Sequence, residues 1–202
     1  DLYAGVRPIR SFAGLPPVLA SAEAAKIDLV LVRESTEGLF YARGRGEMVG
    51  DEVAYDTMKI SRHGTERVCE FAFRLAEQRA EQKGRAARLT NVDKANVFVS
   101  MAFFRKVFNE AAARHPGVRA DSAYVDAMAL NLVAKPWQFD VLVTENMFGD
   151  ILSDLMAALI GGMGMAPSGD IGDKHALFQP AHGTAPDIVG RGKANPTGMI
   201  LS

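Results

Sequence analysis

Short apolar runs alternate with longer amphipathic stretches along this chain. Nearly every residue of 27–32 is apolar, and the run ends at the charged Arg33. This pattern predicts a buried strand that delivers a polar side chain to a site. Residues 86–92 and 139–144 also predict strands, because each is a short run rich in apolar residues.

Two longer stretches, residues 65–83 and 100–114, repeat their apolar positions at helical spacing beneath many charges. Strands that alternate with helices of this length predict an α/β fold, with helices packed on a sheet. Residues 53–60 read as an antiparallel strand after the glycine-rich turn at 44–46. We therefore expect a mixed sheet.

Two acids stand four positions apart in the stretch 148–154, at the start of a predicted apolar helix. This spacing puts the carboxylates of Asp150 and Asp154 on one helix face. Carboxylate oxygens fixed in this way suit a hard cation such as Mg²⁺ or Mn²⁺. In the alternative interpretation, Asp150 caps the helix and Asp154 is a solvated neighbour.

Further polar groups lie at the ends of other apolar runs. Arginine suits capture of carboxylates, and a partly desolvated lysine beside a metal can act as a general base. Taken singly, each of these residues could form only a surface ion pair. The segments are Arg7-Pro8, Arg33-Glu34, residues 93–96 with Lys94, and residues 124–126 with Asp126.

In their order, these motifs resemble the isocitrate and 3-isopropylmalate dehydrogenase family, metal-dependent β-decarboxylating dehydrogenases of 2-hydroxy acids. The resemblance implies an α/β fold with a mixed central sheet flanked by helices, and not a Rossmann fold. It also implies that the chain is the middle of a longer protein. The segments that carry the resemblance are residues 2–8, 33–38, 93–96, 124–128, 148–154 and 182–195.

The same resemblance implies a division into two subdomains and a homodimer with a shared active site. We expect residues 1–30 and 127–202 on the nucleotide side, and residues 31–126 in the dimerisation and substrate subdomain. The implied roles are metal ligation by Asp150 and Asp154 with Asp126 of the partner subunit, substrate-carboxylate binding by Arg7 and Arg33, and removal of the hydroxyl proton by the partner subunit's Lys94.

The chain departs from the family at one catalytic position. Where the family usually has a proton-donating tyrosine, this sequence has Phe40, and a tyrosine follows at Tyr41. If the segment is a strand, this one-residue shift turns the side chain to the opposite face. Three explanations stay open: Tyr41 substitutes through a local irregularity, water or another acid donates the proton, or the activity is altered.

The nucleotide site also rests on the resemblance, because no strand is followed by a G-x-G-x-x-G fingerprint. An acid at position 187 favours free ribose hydroxyls and repels a 2′-phosphate, so we expect NAD rather than NADP. The implied cofactor-binding residues are His182, Gly183, Thr184, Ala185, Asp187 and Asn195.

The expected activity is NAD-dependent oxidative decarboxylation of a 2-hydroxy acid, with 3-isopropylmalate as the leading substrate. Isocitrate, homoisocitrate, tartrate and D-malate are alternatives, because residues 36–38 and 166–172 look more like isocitrate or homoisocitrate enzymes, whereas residues 124–128 look like isopropylmalate enzymes. A non-catalytic regulatory or binding subunit of the same fold is the alternative of another class. Phe40 is the main support for that alternative.

Charge and cysteine content narrow the possible partners. The chain has 23 basic and 24 acidic residues and a net charge of −1, which does not favour nucleic acid or an anionic membrane. No stretch has the run of apolar residues that a membrane span requires. The single cysteine, Cys69, excludes an intrachain disulfide and fits a reducing compartment, so we expect a cytoplasmic protein.

Overall fold

The computed structural model describes residues 1–15 and 18–202. Over these residues the strands are β1 (Leu2–Arg10), β2 (Asp28–Glu34), β3 (Glu47–Val49), β4 (Val53–Tyr55), β5 (Ala87–Asp93), β6 (Val118–Tyr124), β7 (Val141–Thr144), β8 (Pro167–Gly172) and β9 (Ala176–Pro180). The α-helices are α1 (Arg62–Lys83), α2 (Val99–Ala112), α3 (Val125–Ala134), α4 (Asn146–Leu159) and α5 (Thr197–Leu201). Each helix and strand predicted from the 27–32, 65–83, 86–92, 100–114 and 139–144 patterns is present, with bounds shifted by a few residues.

Seven strands form one mixed sheet in the order β6-β5-β7-β2-β1-β8-β9. The first four are parallel, whereas β1 is antiparallel to both β2 and β8, and β8 is antiparallel to β9. The expectation of a mixed sheet is confirmed. Strands from both predicted subdomain ranges lie in this one sheet, and the division at residues 30 and 126 stays a prediction.

Helices cover both faces of the sheet and create two apolar cores. The core on one face joins α1 and α2 to the sheet and includes Phe73, Phe104 and Phe108. The core on the other face joins α3 and α4 to the sheet and includes Leu132 and Met156. Because β2 is covered on both faces, nearly all its side chains are buried, which explains its continuous apolar sequence.

The strand predicted over residues 53–60 is shorter and pairs differently. Only Val53–Tyr55 is extended in a ladder, and it pairs with β3 in a separate two-stranded sheet. The hairpin turn lies at residues 50–52, where Gly50 supplies a left-handed backbone with a φ of 58°, and the turn at Gly44, with a φ of 72°, precedes β3. The mixed character of the main sheet therefore comes from β1, β8 and β9.

Local capping explains where α1 begins and ends. The side chain of Ser61 accepts a hydrogen bond from the backbone N–H of Gly64, and Gly84 ends the helix in the left-handed conformation. Cys69 lies on the buried face of this helix, and burial raises the pKa of its thiol.

His115 connects α1 to the chain that follows α2. Its ring stacks on Phe73 with centroids 4.8 Å apart, and its two nitrogens lie 2.9 Å from carboxylate oxygens of Glu70 and Glu77. Both ring nitrogens can donate only when the imidazole is protonated. Burial lowers the pKa of His115, but the hydrogen bonds to Glu70 and Glu77 outweigh burial and raise it overall.

We expect His115 to stabilise the fold most at acidic pH. A pKa that is raised on folding contributes stability below the unfolded value of about 6.5, and this contribution is lost as pH rises through the folded-state value. The wild-type protein should therefore have a larger free energy of unfolding than His115→Gln at acidic pH. This difference, measured by urea unfolding, should shrink between about pH 6 and pH 9. His63→Gln, at an exposed position of the same helix, is the control. A difference that stays constant with pH would contradict the assignment.

Candidate active site

The carboxyl ends of four parallel strands meet along one edge of the sheet. Strands β6, β5, β7 and β2 end there, and sites in open α/β sheets are built at this edge. The segments that follow these strand ends, or lie at them, carry Asp126, Lys94, the start of α4 and Arg33. The fold therefore brings four of the predicted motifs to one edge.

Helix α4 begins four residues before the first acid of the pair. The carboxylate of Glu145 caps it, accepting hydrogen bonds from the backbone N–H groups of Met147 at 3.0 Å and Phe148 at 2.7 Å. Asp150 therefore lies in the second turn, and the alternative that Asp150 caps this helix is wrong. Asp150 and Asp154 are both exposed on α4, one helical turn apart.

Arg33 lies against the start of α4. Its Nη1 forms an ion pair with Oδ1 of Asp150, and its Nε and Nη2 donate to Oδ1 of Asn146 at 2.9 and 2.7 Å. Gly149 makes room for the arginine stem, because a Cβ at that position would lie 2.6 Å from Arg33 Cγ. One predicted metal-binding acid and one predicted substrate-binding arginine are thus adjacent.

Two buried carboxylates, Glu145 and Glu34, lie behind this arrangement, and burial changes the pKa of each. Burial raises the pKa of Glu145 and outweighs the effect of its hydrogen bonds from the N–H groups of Phe148, Met147 and Leu39. Burial likewise raises the pKa of Glu34, despite hydrogen bonds from Thr36 and Glu37. The charge of Glu34 adds to the upward shift at Glu145, so two buried acids lie near each other behind the exposed pair.

Arg7 lies within β1 and not at the end of an apolar run. Its Nη2 donates to Oδ1 of Asp170 at 3.2 Å, and its Nη1 donates to the carbonyl oxygen of Gly169 at 3.3 Å. Gly5 pairs with Arg33 across the neighbouring strand, and side chains two residues apart share a face. Arg7 and Arg33 therefore lie on the same face of the sheet, the one that α4 covers.

Lys94 and Asp126 form a second group at the site edge. Lys94 Nζ donates to Oδ1 of Asp126 at 2.6 Å, and this hydrogen bond holds the pKa of Asp126 below its usual range. The turn that carries Lys94 is fixed by the buried Asp93, which accepts two hydrogen bonds of 2.7 Å from Arg105 and one from the N–H of Ala95.

The three predicted metal ligands do not meet within one chain. Across residues 1–15 and 18–202, no three His, Cys, Asp or Glu residues converge as a possible metal site. Asp150 and Asp154 share a helix, whereas Asp126 pairs with Lys94 at the start of α3. Within the described residues, Lys94 with Asp126 and Asp150 with Asp154 are therefore two separate groups.

The aromatic pair at 40 and 41 lies in a 3-10 turn, Leu39–Ala42, and not in a strand. The guanidinium carbon of Arg33 lies 5.3 Å from the ring centre of Phe40. The ring of Tyr41 instead contacts two other cations, with Arg45 Cζ at 4.0 Å and Lys59 Nζ at 4.9 Å. Phe40 therefore faces the predicted substrate arginine, and Tyr41 is engaged elsewhere.

A cavity of about 550 Å³ lies between the 182–195 segment and Gly164. It is large enough for part of a dinucleotide. Ala185 takes a left-handed φ of 43°, a backbone strain that among the described residues other than glycine is found here alone. The predicted cofactor residues that line the cavity are His182, Gly183, Thr184, Ala185 and Asn195. Asp187 is exposed in the adjoining 3-10 turn, Pro186–Ile188, and does not line it.

Sequence reasoning assigned no site role to several residues that the fold places at the site. Asp170 pairs with Arg7, Asn146 binds Arg33, and Arg105 fixes the turn of Lys94. The cavity beside the 182–195 segment is also lined by Gly190 and Lys193. The position of Asn146, two residues before the acid-pair motif, is the one available signal, but it is equally typical of an ordinary residue at a helix start.

Comparison with known proteins shows which family the chain matches. The family model described as isocitrate/isopropylmalate dehydrogenase matches residues 1–202. The chain is 45% identical over 205 residues to the 3-isopropylmalate dehydrogenase of Thermotoga maritima, and covers 100% of itself and 55% of that protein. It is 45% identical over 208 residues to the homoisocitrate dehydrogenase of Methanocaldococcus jannaschii, again over 100% of this chain and 57% of the relative.

A solved structure shows the same architecture. The crystal structure of isocitrate dehydrogenase from Methylococcus capsulatus matches with a TM-score of 0.86 and 41% identity, over 99% of this chain and 57% of that one. Fold, site edge and matches together define the class as that of the dehydrogenases. The chain belongs to the isocitrate/isopropylmalate dehydrogenase family, as its motifs predicted. It spans a little over half the length of the relatives it matches.

Within the described ranges, no helix combines the length and the apolar character that a bilayer crossing requires.

Gly38 should be the least replaceable glycine of the site. It has a φ of 73°, and an added Cβ would overlap Glu145 Oε2 and lie 2.9 Å from Asn146 Cβ. Gly44 has a φ of 72° with nothing within 4 Å of its Cβ position, which makes it a matched control.

Gly44→Ala should cost about 1–2 kcal/mol of unfolding free energy through its backbone alone. Gly38→Ala should cost about 1–3 kcal/mol more, because its Cβ overlaps packed atoms. Urea unfolding of the full-length protein measures both. Equal costs for the two variants would show that the approach of residue 38 to α4 is not tight.

Proposed function

We propose that the protein containing this chain carries out NAD-dependent oxidative decarboxylation of a 2-hydroxy acid, with 3-isopropylmalate as the leading substrate. The observation that carries the proposal is the contact between Arg33 and Asp150, beside Asp154 on the same helix. A carboxylate-binding cation next to paired acids suits an anionic, metal-chelating substrate. Names of full-length relatives support the substrate class.

The acid pair fits a hard divalent cation. Asp150 and Asp154 offer exposed carboxylate oxygens one helical turn apart, which is the donor chemistry that Mg²⁺ and Mn²⁺ prefer. When bound, such an ion supplies Lewis-acid polarisation of substrate oxygens. We assign Asp150 and Asp154 to this ion in their own subunit.

The nucleotide cavity fits the adenosine half of NAD. Its lining combines backbone-rich glycine positions with His182 and Asn195, and Asp187 lies beside it as an exposed carboxylate. Bound NAD would accept the hydride from the substrate carbon. A carboxylate near the ribose accepts hydrogen bonds from free hydroxyls and repels a 2′-phosphate, which favours NAD over NADP.

The remaining charged residues bind the substrate and move its proton. Arg7 and Arg33 hold the substrate carboxylates on one face of the sheet. Lys94, directly or through a water, takes the hydroxyl proton as the hydride leaves. Carbon dioxide then leaves from the β-carboxylate, and the carbon that carried it takes up a proton.

A homodimer would join the group of Lys94 and Asp126 in one subunit to the group of Asp150 and Asp154 in the other. Lys94 and Asp126 contact each other but form no acid cluster with α4 in the described part of the chain. Leu130 and Val133 on α3 and Ile151 on α4 are exposed apolar side chains, which is typical of an interface. We propose that Lys94 and Asp126 complete the site of the partner subunit.

Phe40 affects which group can donate the proton that the substrate carbon takes up after decarboxylation. The phenyl ring that faces Arg33 has no proton to donate, and Tyr41 is engaged with Arg45 and Lys59. We therefore favour water or another acid as the donor over Tyr41. The same observation supports the second candidate function, a non-catalytic regulatory or binding subunit of this fold.

The test is NADH formation at 340 nm by the full-length protein with Mg²⁺ or Mn²⁺. The panel is 3-isopropylmalate, isocitrate, homoisocitrate, D-malate and tartrate. Preferred turnover of 3-isopropylmalate supports the proposal. Preferred turnover of another acid would contradict 3-isopropylmalate as the substrate and assign that acid instead. No turnover by a folded, dimeric protein that binds NAD would favour the regulatory subunit.

Asp154→Asn should lower metal-dependent turnover by about 100-fold or more, because the ion loses an anionic ligand. The concentration of Mg²⁺ needed for half-maximal rate should also rise. Glu81→Gln removes one exposed acid on α1 and serves as the control for net charge. An unchanged rate with Asp154→Asn would remove it from the ligand set.

Asp187→Arg should shift the coenzyme preference towards NADP. An arginine attracts the 2′-phosphate and removes the acceptor for the ribose hydroxyls, so the ratio of kcat/KM for NAD to that for NADP should fall about tenfold or more. Glu81→Arg is the control, because it makes the same change in charge on α1, away from the residues that line the cavity. If Asp187→Arg keeps the wild-type ratio, the ribose assignment of Asp187 is wrong.

A further inference from the structure

We infer that Asn146 is a positioning residue for Arg33, the substrate-binding arginine of the proposed function on which this inference rests. Asn146 holds one edge of the guanidinium, so that the other edge faces Asp150 and the substrate carboxylate. It acts through Arg33 and has no contact of its own with the reacting atoms.

The hydrogen bonds fix the amide of Asn146 in one orientation. Its Oδ1 accepts from Nε and Nη2 of Arg33 at 2.9 and 2.7 Å, and its Nδ2 donates to the carbonyl oxygen of Glu37 at 3.0 Å. Arginine can only donate and a carbonyl can only accept, so a flipped amide would lose all three bonds. Asn146 is also buried, with 3% of its surface exposed.

The other neighbours of Arg33 define which donors remain. Its stem passes over Gly149, and the ring of Phe40 lies beside its guanidinium. With Nε and one N–H of Nη2 bound to Asn146, three N–H groups remain, two on Nη1 and one on Nη2, and Nη1 donates to Asp150. These are the donors left to bind an anionic ligand.

The neutral charge of Asn146 is part of its role. It fills two donors of Arg33 without cancelling the positive charge that attracts a carboxylate. An aspartate would have the same shape and would also accept from Arg33, but it would neutralise the guanidinium and could not donate to Glu37. Asn146→Asp therefore separates charge from shape.

Steady-state kinetics of the full-length protein test the role. Asn146→Ala should raise the KM of the hydroxy acid about 10- to 100-fold, the effect of losing hydrogen bonds to a charged group, while kcat changes less and the KM of NAD stays unchanged. Asn146→Asp should raise the KM of the acid at least as much. Thr90→Val is the control, because it deletes the hydrogen bond of a buried threonine to Asp121, between β5 and β6, on strands that do not pair with the strand of Arg33. If Thr90→Val raises the KM equally, the effect is structural and the inference is overturned.

A double-mutant cycle tests whether Asn146 acts through Arg33. In an Arg33→Lys background, Asn146→Ala should change the KM of the acid less than about twofold, because its partner is already lost. If the two effects multiply, Asn146 does not act through Arg33.

Crystal structures of the wild-type protein and Asn146→Ala separate this inference from the proposed function. The guanidinium of Arg33 should leave its wild-type position in the variant, and an unmoved guanidinium that still contacts Asp150 would overturn the inference. This measurement needs no turnover. A wild-type protein that oxidises none of the acids would overturn the proposed function, while the crystal structures would still decide the role of Asn146.

Discussion

The packing of the first turn of α4 against the chain that follows β2 is the constraint on which the site depends. Gly38 approaches Glu145 and Asn146 so closely that no larger residue fits. The side chains of Glu145 and Asn146 are buried, and their polar atoms form hydrogen bonds with backbone groups or with Arg33. Because buried polar groups are costly to leave unpaired, this contact has one favourable geometry. The separation between the exposed acids of α4 and the arginine of β2 is therefore set by groups that lie behind them.

Each cation assigned to a ligand already has an acid as its partner. Arg33 pairs with Asp150, Arg7 with Asp170 and Lys94 with Asp126. Such pairs keep the long side chains in one conformation, so less side-chain entropy is lost when an anion replaces or joins the acid. Ligand binding at this site is then an exchange of partners between preorganised charges.

The apolar periodicity of the sequence predicted β2, β5, β7, α1 and α2, because those elements bury their apolar faces against the sheet. It extended one strand over residues 53–60, whereas only Val53–Tyr55 is in a ladder and Gly50 makes a second turn close to the one at Gly44. It also placed the start of α4 too late, because glutamate is not among the usual caps and Glu145 nevertheless caps this helix with its carboxylate. The motifs predicted which residues matter, but not which of them meet. The sequence could not predict that Phe40 faces Arg33, because Phe40 lies in a 3-10 turn between strands and such a short turn has no clear periodic pattern.

The order of strands in the sheet has a consequence for how the chain reaches its fold. Strand β2 lies between β1 and β7, and Arg33 pairs with Thr144, a residue synthesised 111 positions later. At a ribosomal rate of about 5–20 residues per second, that partner follows after about 6–20 s. Until then one edge and one apolar face of β2 have no permanent cover, since α4 is also downstream. Contacts so distant in sequence slow folding and expose the nascent strand to aggregation, so this architecture favours protection by a chaperone during synthesis.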